Sequence, residues 1–194
     1  DISAIDLAQQ LAFLPNMVLT SFGDMLRVPG SNGSLLTARA AGANVTTVYS
    51  PLDAIRYAEN HPEQQVVFFA VGFETTAPAT ALAVLQAQAH GLKNFSVLVS
   101  HVRVLPAMQA LMQDPGNRVQ GFLAAGHVCT ITGYEMYADF AKQFCVPVVV
   151  TGFEPVDLLQ GILECITQLE SGTANVSNSY GRSVTRFGNP DAQR

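Results

Sequence analysis

What this chain has little of sets the first limits. Cysteine is scarce: Cys129, Cys145 and Cys165 stand far apart, and no Cys-x-x-Cys pair occurs. That excludes a disulfide framework and a zinc-ribbon spacing. A reducing, cytoplasmic setting is the simplest expectation, so the sequons at Asn44, Asn94 and Asn175 are expected to carry no glycan. Charge is scarce too, at 13% of residues, and the ten basic side chains are scattered rather than clustered. With a net charge of -5, a nucleic-acid partner is not expected. No apolar run reaches the roughly 18–20 residues of a membrane span. The opening Asp1-Ile2-Ser3-Ala4 has neither the basic region nor the apolar core of a signal peptide. It also lacks a starting Met, which suggests processing or a piece of a longer protein. Gly-Lys-Ser/Thr, Gly-x-Gly-x-x-Gly and Gly-x-Ser-x-Gly are all missing, so the usual phosphate-loop, dinucleotide and serine-hydrolase signatures do not apply.

What is present is apolar residues, at 48%, arranged as a globular composition. Two short apolar runs end in the same tripeptide: Val66–Val71 leads into Gly72-Phe73-Glu74, and Val146–Thr151 into Gly152-Phe153-Glu154. Each reads as a buried strand stopped by glycine, with a helix opened by Pro78 or Pro155 close behind. The same alternation runs along the chain. Strands are expected at 17–21, 45–49, 66–71, 95–100, 119–124 and 148–151. Helices are expected near 3–13, 35–41, 51–59, 77–90, 106–112, 134–144 and 156–170. The last carries an apolar stripe of Val156, Leu159, Leu163, Ile166 and Leu169. Strict β-α alternation implies parallel strands, and the fold class is α/β.

The residues just past the strands are Asp24, Glu74, His101, His127 and Glu154. Parallel strands would bring all five to one side, where open α/β sheets bind ligands. Acids and imidazoles in one recess can transfer protons or hold metal. Taken singly, each also reads as a helix cap or a partner of a loop amide. Glu74-Thr75-Thr76 stands at a helix start, whose free amides suit an anion, though Thr76 as the cap explains one hydroxyl without a ligand. His127 and Cys129 are two apart; in an extended segment their side chains need not meet, and a buried packing thiol is the plainer reading of Cys129. The loop Gly30-Ser31-Asn32-Gly33-Ser34 is only a weak phosphate-loop candidate. His61 and His90 read as helix-end residues.

In order, Phe22-Gly23-Asp24-Met25-Leu26-Arg27-Val28-Pro29-Gly30, Gly72-Phe73-Glu74-Thr75-Thr76-Ala77-Pro78, Ser100-His101, Gly126-His127-Val128 and Gly152-Phe153-Glu154-Pro155 resemble the HypD family of hydrogenase maturation proteins over nearly the whole chain. The resemblance implies a scaffold on which the Fe(CN)2CO centre of [NiFe]-hydrogenases is assembled, with HypC-type and HypE-type partners and a [4Fe-4S] cluster. It implies two similar α/β domains flanking a cleft lined by Glu74, Thr75, Thr76, His127 and Glu154, with Asp24 and His101 as further binding residues. The family's cysteine motifs are absent, so no metal ligand is assigned here and an internal fragment is expected. On that reading residues 1–62 are the end of a truncated first domain and 63–171 a second domain. Residues 172–194 are then a polar linker toward a missing cluster region. The alternative is a small-molecule enzyme of doubly wound type, binding an anionic substrate at the Thr75-Thr76 helix start. A pure protein-interaction module is the third possibility.

Overall fold

The computed structural model describes residues 2–193, and it is α/β with parallel sheets. Contacts divide the chain into two units: one runs up to Gly72 and resumes over Thr76–His101, the other takes Phe73–Thr75 and everything from Val102 onward.

The first unit holds α1 (Ile2–Ala12), β1 (Met17–Phe22), a 3-10 turn (Met25–Arg27) and a small hairpin of β2 (Pro29–Gly30) and β3 (Gly33–Ser34). It continues with α2 (Leu35–Ala40), β4 (Val45–Val48), α3 (Pro51–Asn60), β5 (Gln65–Gly72), α4 (Ala77–Ala89) and β6 (Phe95–His101). Local chemistry sets the helix starts. Ser34 and Thr37 form a reciprocal capping box on α2, and Ser50 caps α3 with Pro51 in its first turn, which satisfies donors that helix ends leave open.

Four strands make a parallel sheet in the order β4-β1-β5-β6. Side chains alternate across it. Leu19, Val67 and Phe69 pack with Ile5, Ala8 and Leu35 on one face. Phe68 and Ala70 pack with Ala54 on the other, beside a smaller cluster of Ile55, Ala83 and Ala87. The expected break between residues 62 and 63 therefore falls inside this unit. The register Met17↔Gln65 to Thr20↔Phe68 joins β5 to β1, and β6 extends the same sheet. Runs of β-branched residues identify strands but do not say which strands are neighbours.

The second unit holds α5 (Val104–Gln113), β7 (Phe122–Ala125), α6 (Gly126–Thr132), a 3-10 turn (Glu135–Tyr137) and α7 (Ala138–Phe144). After these come β8 (Val148–Thr151), α8 (Pro155–Glu170) and β9 (Val176–Asn178). Its parallel sheet runs β7-β8-β9, and its core gathers Ala124, Cys129, Tyr137, Phe140, Val148, Val150, Tyr180 and Val184. Three expectations are corrected here. The tail after Gly172 is no linker: β9 pairs with β8, and Tyr180 and Val184 are buried. Its polar residues make the turns, since Asn178 Oδ1 accepts from Tyr180 N and Asn178 Nδ2 donates to Val184 O. Second, His127 and Cys129 lie on a helix rather than in an extended segment. Gly126 starts that helix tightly, because a Cβ there would strike Tyr180 and Thr151 O. Gly133, at φ +75°, closes it. The helix expected over 134–144 is likewise split into the 3-10 turn and α7.

Candidate functional site

The C-terminal ends of β7 and β8 carry a connected set of side chains, all within the second unit. Arg182 is its centre. Nη1 donates to Asp157 Oδ1 and Nη2 to Asp157 Oδ2, each at 2.6 Å, and Nη2 also donates to Glu154 Oε2. The guanidinium lies 4.5 Å from the centre of the Tyr180 ring, a cation–π distance. Tyr180 in turn stands 6.3 Å from the His127 ring, edge to face, and His127 lies 4.7 Å from the Phe153 ring. Glu154, Asp157, Arg182, Tyr180, His127 and Phe153 are thus linked by successive contacts, with Asp157 and Tyr180 buried beneath the exposed members.

Each member has a local cause. Glu154 ends the strand-to-helix turn, and Asp157 follows in the first turn of α8, where an acid is favoured by the helix dipole. Thr151 Oγ1 donates to Asp157 O at 2.7 Å and fixes that turn. Gly152 leaves room for both partners, since a Cβ there would collide with the Asp157 carboxylate and the Tyr180 ring. Asp157 is buried while Arg182 and Glu154 are largely exposed. The Arg182 hydrogen bonds hold the Asp157 carboxyl down at about 2, and the same pairing raises the guanidinium further. His127 is exposed. An imidazole held between aromatic rings beside a fixed charge array can carry a proton, or offer a nitrogen to a metal ion brought by another molecule.

Glu74 is used differently. Its Oε1 accepts from Val104 N at 2.9 Å, at the start of α5, which is a helix-capping role. Its Oε2 is buried and finds no partner among the described residues, and Tyr137 is fully buried. Cys129 lies in the same region: burial pushes its thiol up to about 11, with Tyr137 and the Glu74 charge acting on it, and burial likewise raises the Tyr137 phenol. A thiol in that state is not a nucleophile near neutral pH.

The remaining sequence candidates have separate local settings. Thr75 is exposed. Thr76 precedes α4 without a side-chain cap bond to that helix, so the capping explanation for its hydroxyl does not hold. Asp24 caps the 3-10 turn, its Oδ1 accepting from Met25 N at 2.9 Å. His101 ends β6; burial lowers its pKa, and its Nε2 is enclosed without a partner among the described residues. Asp24, Thr76 and His101 belong to the first unit; Glu74, Thr75, His127 and Glu154 belong to the second. Asp157, Tyr180 and Arg182 escape the sequence reading. The only signals for them are an acid in the first turn after Glu154-Pro155 and a Tyr180-Gly181-Arg182 step inside a polar tail.

The residues do not fit an iron–sulfur cluster, which takes four thiolates. Of the chain's three cysteines, Cys129 and Cys165 are buried in separate places and Cys145 is on the surface. Among the described residues no three His, Cys, Asp or Glu side chains gather to hold a metal ion. Nor is any helix among them long and apolar enough to cross a membrane.

Comparison with known proteins agrees with the motif order. The HypD sequence profile, described as "Hydrogenase formation hypA family", matches residues 1–194. The hydrogenase maturation factor HypD of Rhizobium leguminosarum bv. viciae is 48% identical over 199 residues, covering 99% of this chain and 52% of that protein. The HypD of Azotobacter vinelandii is 48% identical over 198 residues, with the same coverage. That of Escherichia coli (strain K12) is 43% identical over 190 residues, covering 98% of this chain and 51% of its own length. The chain spans about half the length of these relatives. It belongs to the HypD family.

Proposed function

We propose that this chain serves hydrogenase maturation, as its relatives' names state for them, by supplying side chains around which the Fe(CN)2CO centre of [NiFe]-hydrogenases is assembled. The iron group is cargo in this reading, and its thiolate ligands come from outside this chain. The single observation that carries the proposal is the cluster at the ends of β7 and β8, in a chain whose whole length matches the family.

The residues divide the work. His127 is the exposed group able to hold or release a proton, or to ligate, at the cargo. Glu154 and Asp157 hold Arg182, which presents a fixed positive group suited to an anionic ligand or to a partner's carboxylate. Glu74 is a positioning residue, through its bond to the start of α5. Thr75, Thr76, Asp24 and His101 are assigned as further contacts with cargo or partners. Partners of the HypC and HypE types deliver and share the iron ligands in this scheme, and the cytoplasm is its setting.

The test is complementation of a strain lacking its own HypD with the full-length protein carrying His127→Ala, Glu154→Gln or Arg182→Met. We expect hydrogenase activity to fall by at least about tenfold, roughly the loss of one group that acts in the chemistry, at unchanged protein level. Full activity in all three variants would overturn the proposal.

A further inference from the structure

Helix α8 is turned the unexpected way. The residues it buries are Asp157, Gly161, Cys165 and Gln168, small or polar side chains at helical spacing. Gly161 explains the choice: a Cβ there would sit 2.9 Å from Thr151 Cβ, so only a glycine lets the helix settle this close to β8. The apolar stripe lies on the other side. Leu159 and Leu163 are 67% exposed and Val156 64%, with Ile162, Ile166 and Leu169 also exposed. Val156, Leu159, Leu163 and Ile166 are spaced 3, 4 and 3 apart, the step of a seam that receives the knobs of a second helix. These six exposed apolar side chains on one 16-residue helix are a patch of the kind that marks an interaction surface. The helix carries no Lys or Arg, while Glu164 and Glu170 flank the stripe.

We infer that this seam is the docking face for an apolar-striped helix with basic flanks, supplied by the part of the full-length HypD protein outside the region matched here. Two observations select that occupant. The relatives are about twice as long as this chain, so each contains a further stretch of comparable size. The acidic, base-free rim of α8 favours a cover of opposite charge. The inference rests on family membership and on the burial pattern, and is independent of the reading of the strand-end cluster.

Leu163→Cys, in a Cys145→Ser background that removes the exposed native thiol, reads the contact without disturbing the core. Its reaction with a small maleimide is timed in the 194-residue chain and in a full-length HypD whose matched region is replaced by this sequence, both checked for folding by circular dichroism. If the hybrid does not fold, the cysteine is placed at the aligned position of the intact Azotobacter vinelandii protein. An interface that excludes water slows such a reagent, and we expect a rate at least about tenfold lower in the longer protein. Equal rates would overturn the inference. Protection in the 194-residue chain itself that deepens with protein concentration would also overturn it, since a second copy would then be the occupant.

Discussion

The same three residues, Gly-Phe-Glu, end β5 and β8, and the molecule uses them differently. The phenylalanines are alike: Phe73 is 51% exposed and Phe153 55%. The glycines differ. Gly72 takes φ +146°, a conformation few other residues adopt, and abuts Thr76. Gly152 is needed for space beside Asp157 and Tyr180. The glutamates differ most. Glu74 turns inward to cap α5, whereas the Glu154 side chain is 63% exposed and shares Arg182 with a buried aspartate. A repeated motif fixes where a carboxylate leaves the strand, but not what it meets. The partner comes from elsewhere in the chain, at Val104 in one case and Arg182 in the other.

The comparison breaks first at the glycines. Gly72→Ala and Gly152→Ala should each cost about 1–3 kcal/mol in urea unfolding, as overpacking does, with Gly72 the costlier because of its backbone angle. If either change is neutral, the close approach described for that turn is wrong. The glutamates come next. Glu74→Ala should cost about 1 kcal/mol, the usual loss of a helix cap. Glu154→Ala should cost about 0.5 kcal/mol or less, as exposed ion pairs do. Equal losses would show that the two turns are equivalent after all.

Much of this was open to a reader of the sequence alone. The strands and the positions of their terminal acids and imidazoles are legible, because β-branched runs stopped by glycine have few other readings. The partition of the strands is not: nothing in the composition of β5 shows that it pairs with β1. The second unit's third strand is hidden in a polar tail because only Val176, Tyr180 and Val184 turn inward there. Its asparagines look like linker until their hydrogen bonds are seen. Arg182 is invisible for the same reason, its partners lying 25 and 28 residues away. The stripe on α8 is plain in the spacing, but periodicity does not say which side of a helix meets the sheet; Gly161 decides that.

Acid sharpens the contrast further. The Asp157 carboxyl sits below its ordinary value because of Arg182. Its contribution is therefore full above about pH 4, the range of a free carboxylate, and is lost as pH falls toward 2. In Arg182→Met the acid-unfolding midpoint should move to higher pH. An unchanged midpoint would mean the pair does not hold Asp157. The smallest effect is at the aromatic tips. Phe153→Ser should stay within about 0.5 kcal/mol in stability while freeing the His127 ring, seen as a shift in its imidazole NMR signals. Unmoved signals would contradict the stacking.

The most direct test compares His127 with a charge pair that is also exposed and lies on the same unit. Arg186 and Glu135 form a two-bond ion pair on the surface, outside the proposed cluster. Hydrogenase activity should be measured in cells relying on full-length protein with His127→Ala or with Arg186→Ala, at matched protein levels. Activity should collapse in the first and persist in the second. Persistence in His127→Ala, or equal loss in both, would contradict the claim that the ends of β7 and β8 form the working surface.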